Sequence, residues 1–128
     1  MKPVAIAAAL LLASGAAGAS QGVSFARDLV PVLRANCATC HLTGQEGGNM
    51  KLHPGAAYGS LVNAQSTESA LKRVLPGAPQ ESYLMHKLDG THLDAGGVGE
   101  RMPFGAPQLD ASVRELFRAW IAAGADNN

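Results

Sequence analysis

The sequence predicts a small all-α protein on three grounds. Toward the end of the chain, apolar residues recur at the spacing of one helix face: Val113, Leu116, Phe117, Trp120 and Ile121. No segment alternates apolar and polar residues as a half-buried strand does. The 15 glycines and 7 prolines divide the remainder into short segments joined by loops. With 128 residues, the chain has the length of one domain.

Residues 1–19 have the pattern of a secretory signal peptide. Lys2 gives a positive start, an apolar stretch runs from Val4 to Ala13, and Ala17-Gly18-Ala19 is an A-x-A cleavage site. We expect cleavage after Ala19, which leaves one domain of residues 20–128 in the periplasm without an integral membrane span. An uncleaved membrane anchor is the alternative, but the small residues near its end disfavour a spanning helix.

The charge of the chain excludes one class of partner. The whole chain has 10 basic and 10 acidic residues, and removal of Lys2 with the signal peptide leaves a formal charge of about −1. Since no basic patch stands out, nucleic acid is not an expected partner.

The first helix of the mature chain precedes the cysteines and contains a proline. Its apolar residues fall at every fourth position from Phe25 to Leu33. Pro31 inside a helix would remove a hydrogen bond and crowd the preceding turn. Either Asp28 caps a helix that has Pro31 in its first turn, or Ser24 starts a helix that is kinked at Pro31. We predict the cap at Asp28.

The rest of the chain predicts two short helices, several loops and one longer helix. The short helices are expected over residues 56–62 and 81–88, the second ending at Gly90. Loops are expected over residues 42–54, 63–69 and 90–99. The last helix follows Asp110 as its N-cap, runs to about Ala123 and is followed by Gly124. We expect it to pack on the first helix.

One short motif predicts a cofactor. Cys37-Ala38-Thr39-Cys40-His41 has the C-x-x-C-H pattern of covalent haem c attachment. Residues three apart lie on one face of a helical turn, so the two thiols can add to the two vinyl groups along one side of a porphyrin. His41 follows directly and can bind the iron as the proximal axial ligand. The sequence therefore predicts one covalent haem c and its iron.

Three other interpretations explain the motif less well. A structural zinc site needs four ligands, and the chain has only two cysteines. Three further histidines follow no zinc-site spacing: His53, His86 and His92. A thioredoxin-like redox pair needs a βαβ context, which the sequence lacks. A local disulfide would leave His41 without a role, whereas export fits haem c attachment outside the cytoplasm.

A six-coordinate iron needs a second axial ligand. Six residues can provide it: Met50, Met85, Met102, His53, His86 and His92. We predict Met102, because it lies on a loop that Pro103 stiffens and can face the iron from the side opposite His41. Met85 has the spacing of a core residue, and Met50 is expected to line the haem pocket without binding iron. The histidines are expected to be exposed or hydrogen-bonded.

These residues together resemble single-haem bacterial cytochrome c domains, and the planctomycete-type cytochrome c domain in particular. The similar segments span nearly the whole mature chain. They are Phe25-x-x-Asp28-x-x-Pro31-x-Leu33, Cys37-x-x-Cys40-His41, Gly47-Gly48, Tyr58-x-x-Leu61-Val62, Arg73-Val74-x-Pro76-Gly77, Ser82-Tyr83-Leu84, Lys87-Leu88-x-Gly90, Arg101-Met102-Pro103 and Trp120-Ile121-x-x-Gly124-Ala125. The pattern departs at Phe104, where a second proline or a small residue is common.

The resemblance implies a cytochrome c-like fold of helices and Gly-rich loops wrapped around one covalent haem. It implies that Met102 is the distal ligand and that Arg73 or Arg101 contacts a haem propionate. The expected function is that of a periplasmic electron carrier without catalytic residues, which exchanges single electrons with redox protein partners as a monomer or as a subunit of a redox complex. Two alternatives remain. One is a peroxidase or gas-binding protein whose haem iron has an open sixth position, and the other is a dedicated subunit of a periplasmic oxidoreductase.

Overall fold

The computed structural model describes residues 22–128, so the expected signal peptide and its cleavage site lie outside the described residues. Over this range the chain is all-α, as predicted, and its few β contacts are isolated bridges. A π-helical turn, Phe25–Leu29, continues directly as α1, Val30–Asn36. The elements that follow are α2, Ala57–Leu61; a 3₁₀ turn, Pro79–Glu81; α3, Tyr83–Asp89; and α4, Ala111–Ala122.

The first helix begins after Ser24, so the predicted cap at Asp28 is wrong. Ser24 Oγ accepts a hydrogen bond from Arg27 N at 3.1 Å, and Asp28 Oδ2 accepts one from Ser24 N at 2.8 Å. The two side chains therefore cap the same turn reciprocally. Pro31 lies in the first turn of α1, directly after the π-helical turn. The wider turn before it gives room to a residue that has no N–H and whose ring crowds the preceding carbonyl.

α2 and α3 lie within or close to their predicted ranges. α3 starts at Tyr83 because Ser82 has extended backbone angles, φ −102° and ψ 114°, which separate α3 from the 3₁₀ turn. Ser82 is fully buried, and its Oγ donates to Ala78 O at 2.9 Å. α3 ends at Asp89, and Gly90 follows it with a φ of 80°, in the left-handed region that favours glycine.

α4 and the first helix pack through aromatic side chains, as the sequence predicts. The Phe25 and Trp120 rings lie 5.0 Å apart between centroids, and the Tyr58 ring of α2 meets Phe25 edge-on at 5.3 Å. The Asp110 side chain makes no capping hydrogen bond at the start of α4, and Gly124 has a φ of 114° just after its end. The core therefore lies between α4, α2 and the first helix.

The two ends of the described chain meet on the first helical turn. Phe25 N donates to Asn128 Oδ1 at 2.7 Å, and Ala26 N donates to Asn128 O at 2.8 Å. Amides in the first turn of a helix have no partner within the helix. Asn128 therefore supplies acceptors that the helix itself lacks, and it fixes the start of the segment that leads to the cysteines.

No helix within residues 22–128 has the length and apolar character needed to cross a bilayer.

Candidate functional site

The turn with the two cysteines extends the hydrogen bonding of α1. Cys37 N donates to Leu33 O at 2.9 Å, and His41 N donates to Cys37 O at 2.9 Å. Both thiols are free, with Cys37 partly buried against the core and Cys40 exposed. Burial raises the pKa of Cys37 to about 11, with a smaller contribution from Cys40. Cys37 is therefore a neutral thiol at neutral pH.

His41 is fixed through its backbone and has an imidazole that is free to bind. Its carbonyl accepts a hydrogen bond from Leu52 N at 2.7 Å, which closes the intervening Gly-rich loop. The side-chain Nδ1 is buried without a hydrogen-bond partner. Burial lowers the pKa of His41, although the Gly47 backbone and the Glu46 and Glu68 carboxylates oppose this shift. The imidazole is therefore neutral at neutral pH, the form that binds metals.

A cavity of about 470 Å³ lies beside this turn. Its volume falls in the range of roughly 300–1,000 Å³ that is typical of small-molecule and cofactor sites. Much of its wall is apolar, formed by Ala35, Met50, Leu52, Leu61, Leu84, Leu88, Pro103, Phe104 and Ala106. Five of the sequence-predicted site residues also line it, namely Cys37, Cys40, His41, Met102 and Arg73. Segments far apart in the sequence are thus brought to one cavity.

The methionines lie in different places: Met50 and Met102 at the cavity, and Met85 in the core, as its spacing predicts. Met102 is half-buried, packs against the core, and donates from its backbone N to Lys87 O at 2.9 Å. Met50 also lines the cavity, whereas Met85 is 2% exposed in the core and does not line it. Met102 and Met50 are therefore the two thioethers that reach this cavity within the described residues.

The two candidate arginines occupy different places. Arg73 lines the cavity and donates to Ser60 O at 2.7 Å and to Gly48 O at 2.6 Å. Burial lowers the pKa of Arg73, and it pairs with no carboxylate within residues 22–128. Arg101 does not line the cavity; it donates to Ala106 O at 2.9 Å and so spans the loop that follows Met102.

Two of the other histidines, His86 and His92, make hydrogen bonds outside the cavity wall. The two nitrogens of His86 contact Thr91 Oγ1 at 2.8 Å and Gln80 O at 2.9 Å. His92 is buried, and its Nε2 contacts Gly99 O at 2.8 Å. Over the described residues, no group of three or more His, Cys, Asp or Glu side chains is arranged to hold a metal ion.

The cavity also has a charged wall that sequence reasoning missed. Lys87 Nζ lies 3.3 Å from Glu68 Oε2, and Tyr83 Oη donates to the same oxygen at 3.1 Å. Burial raises the pKa of Tyr83, and the Glu68 carboxylate acts in the same direction. Tyr83 and Lys87 are four residues apart, so a shared helix face was a signal for this pair. Glu68, in a polar loop, gave no such signal.

Comparison of the chain with protein-family models, with curated proteins and with solved structures finds no match.

Proposed function

We propose that this protein is a periplasmic monohaem c-type cytochrome that carries single electrons between redox protein partners. One observation carries the proposal: both cysteines of the C-x-x-C-H turn, His41 and Met102 line the same apolar cavity, although Met102 lies some sixty residues further along the chain. The motif is specific for haem c attachment, and a thioether beside the same cavity is a suitable distal ligand.

The residues around the cavity fit a covalently held haem c. Cys37 and Cys40 would bind the porphyrin through two thioether bonds, and His41 and Met102 would bind its iron. Burial lowers the pKa of the His41 imidazole, which favours the neutral form that binds metals. When bound, haem iron supplies reversible one-electron exchange between its ferric and ferrous states.

The remaining residues of the wall would exclude water and hold the carboxylates of the cofactor. Leucines and Pro103 give the cavity its apolar surface, which keeps the dielectric constant around the site low. Arg73 is half-buried at the wall and contacts only backbone carbonyls. A guanidinium in that setting is suited to a haem propionate, because a carboxylate would compensate its buried charge. Arg101 would stabilise the loop around Met102 instead.

Electron transfer requires no acid, base or nucleophile from the chain. Phe104 lines the cavity and is 69% exposed, so it offers an apolar contact near the cofactor to a redox partner. The carrier would work as a monomer or as a subunit of a larger periplasmic oxidoreductase. Co-purification of a larger partner would identify the second case.

The decisive experiment is a pair of absorption spectra, ferric and ferrous, of the full chain matured in a bacterial periplasm. We expect covalently bound haem, low-spin iron, and a ferric band at about 695 nm, the signature of methionine ligation. A haem-free folded protein would overturn the proposal. High-spin ferric iron without that band would instead favour a peroxidase or gas-binding protein with an open sixth position.

A further inference from the structure

The segment that leads into Met102, residues 97–102, is fastened by three contacts, two to Lys87 of α3 and one to His92 of the loop that follows α3. Lys87 Nζ donates to Val98 O at 3.1 Å. His92 Nε2 contacts Gly99 O at 2.8 Å. Met102 N donates to Lys87 O at 2.9 Å. Lys87 thus holds the segment at two points, with its side chain near the start and with its carbonyl at the end.

The side chain of Lys87 is unusual for a lysine because it is buried. The residue is 7% exposed, and its charge is balanced by Glu68 Oε2 at 3.3 Å and by the Tyr83 ring, whose centroid lies 5.8 Å from Nζ. A well-packed apolar side chain at such a position is often at least as stabilising as a buried ion pair. Stability alone therefore does not explain the buried Lys87–Glu68 pair, whereas fixing the position of a loop would.

The loop also fits closely against this group of side chains. A Cβ atom added at Gly97 would lie 2.2 Å from Tyr83 Oη and 2.6 Å from Tyr83 Cε2. Any side chain at position 97 would displace either the loop or the Tyr83 ring, because such distances are far below van der Waals contact. The backbone of residues 97–99 therefore lies directly on Tyr83 and Lys87.

From this geometry we propose that Lys87 is a positioning residue for Met102. The inference rests on the proposed function, in which Met102 is the distal iron ligand. The ammonium group of Lys87, held by Glu68, fixes the carbonyl of Val98, and the loop beyond it delivers the Met102 thioether to the cavity. Loss of that anchor would leave the thioether bonds of Cys37 and Cys40 to the haem intact and would weaken only the binding of Met102 to the iron.

The test compares two lysine variants of the matured full chain. Lys87→Leu removes the charge and both of its contacts, keeps an apolar side chain in the buried position and adds no sulfur to the cavity wall, which Lys87 lines. Lys51→Leu is the matched control, because Lys51 is exposed and does not line the cavity. We expect the ferric band at about 695 nm to weaken and the affinity for added imidazole to rise about tenfold (about 1.4 kcal/mol) in Lys87→Leu only. Wild-type values for Lys87→Leu in both measurements would overturn the inference.

Two further variants keep the test decisive if Lys87→Leu does not fold. Gly97→Ala leaves the Glu68–Lys87 pair in place and pushes the loop away from Tyr83, so it is expected to raise the imidazole affinity in the same way. Glu68→Gln keeps an acceptor oxygen and removes the counter-charge, and a smaller rise is expected. If neither variant changes imidazole affinity, the loop is not held from α3 as proposed.

Amide hydrogen exchange separates failure of this inference from failure of the proposed function. If the wild-type protein lacks methionine ligation, the proposed ligand set fails, but the anchor itself remains measurable. Exchange at the Met102 and Gly97 amides, which donate to Lys87 O and His92 O, is then expected to be at least about tenfold faster in Lys87→Leu than in Lys51→Leu, with unchanged exchange in α4. Equal exchange in the two variants would show that Lys87 does not fix the loop.

Discussion

Met102 and Met50 line the same cavity, but only Met102 is proposed to bind iron. Met102→Leu replaces the sulfur ligand by a side chain of similar volume and should leave the haem attached through Cys37 and Cys40. We expect the ferric band at about 695 nm to disappear and the iron to become high-spin or to bind external ligands. Met50→Leu is the control and should keep both the band at about 695 nm and the low-spin iron. A spectrum of Met102→Leu identical to that of the wild type would remove Met102 from the ligand set.

Arg73 gives a second test at the residue scale. Arg73→Leu removes a positive charge from the cavity wall, and positive charge near the iron favours the ferrous state. We expect the reduction potential to fall by roughly 30–60 mV. Arg34→Leu, on the exposed side of α1, removes the same charge away from the cavity and should leave the potential nearly unchanged. Equal potentials in the two variants would show that Arg73 has no special electrostatic role at the site.

The candidate residues were predictable where their spacing is local and unpredictable where it is not. Cys37, Cys40 and His41 follow from a five-residue pattern, because one turn of chain is enough to bring them together. Arg73 and Arg101 could not be distinguished in the sequence, since the difference lies in which of them faces the cavity. Glu68 was missed for the same reason, because its neighbour Lys87 is nineteen residues away in the sequence.

The elements show the same division between local and distant causes. The segment before the cysteines was predicted to be helical, and it is, but its cap is Ser24 and not Asp28. A π-helical turn next to Pro31 produces no regular spacing of apolar residues from which it could be predicted. α3 starts at Tyr83 rather than at residue 81, because the buried Ser82 side chain donates a hydrogen bond to Ala78 O. The helical spacing of apolar residues cannot predict this contact.

One ion-pair cluster joins two elements and makes a pH-dependent prediction. Asp89, the last residue of α3, accepts hydrogen bonds from Arg114 Nη1 and, at 2.8 Å, from Arg118 Nη2 of α4. Burial alone would raise the pKa of Asp89, but the two arginines outweigh it and lower the pKa below its ordinary value of 3.8. The stabilisation is therefore present above that ordinary value, and it is lost as the pH falls through the lowered pKa of the folded state.

Asp89→Asn removes this linkage between α3 and α4. We expect the free energy of unfolding at neutral pH to fall by about 1–3 kcal/mol, because two charged hydrogen bonds are lost. As the pH falls toward about 2, the difference from the wild type should shrink, because Asp89 becomes protonated first in the unfolded state and then in the folded state. Chemical denaturation at the two pH values measures both effects, and Asp94→Asn, in an exposed loop, is the control. A difference that is the same at both pH values would contradict the ionic origin.

At the scale of the whole molecule, the elements are too short to be stable alone. α3 has 7 residues and α2 has 5, well below the roughly 12–15 at which isolated helices become marginally stable, and α4 only reaches that range with 12 residues. They are held by packing, and several residues that line the cavity also belong to or pack against the core, among them Leu52, Leu61, Leu88 and Met102. The core and the proposed cofactor site are thus continuous.

This continuity predicts that haem attachment and folding are coupled. Cys40→Ser removes one of the two attachment points while changing a single exposed atom of the chain. We expect covalent attachment to be impaired and the thermal midpoint to fall by roughly 15 °C or more, corresponding to about 3 kcal/mol in a domain of this size. The physical reason is that without the cofactor a cavity of about 470 Å³ stays within the core or fills with water, and its apolar walls lose their packing partners. Thr39→Ser, between the two cysteines, is the control and should keep both the covalent attachment and the thermal midpoint. A haem-free Cys40→Ser protein that unfolds at the wild-type midpoint would show that the fold does not depend on the cofactor.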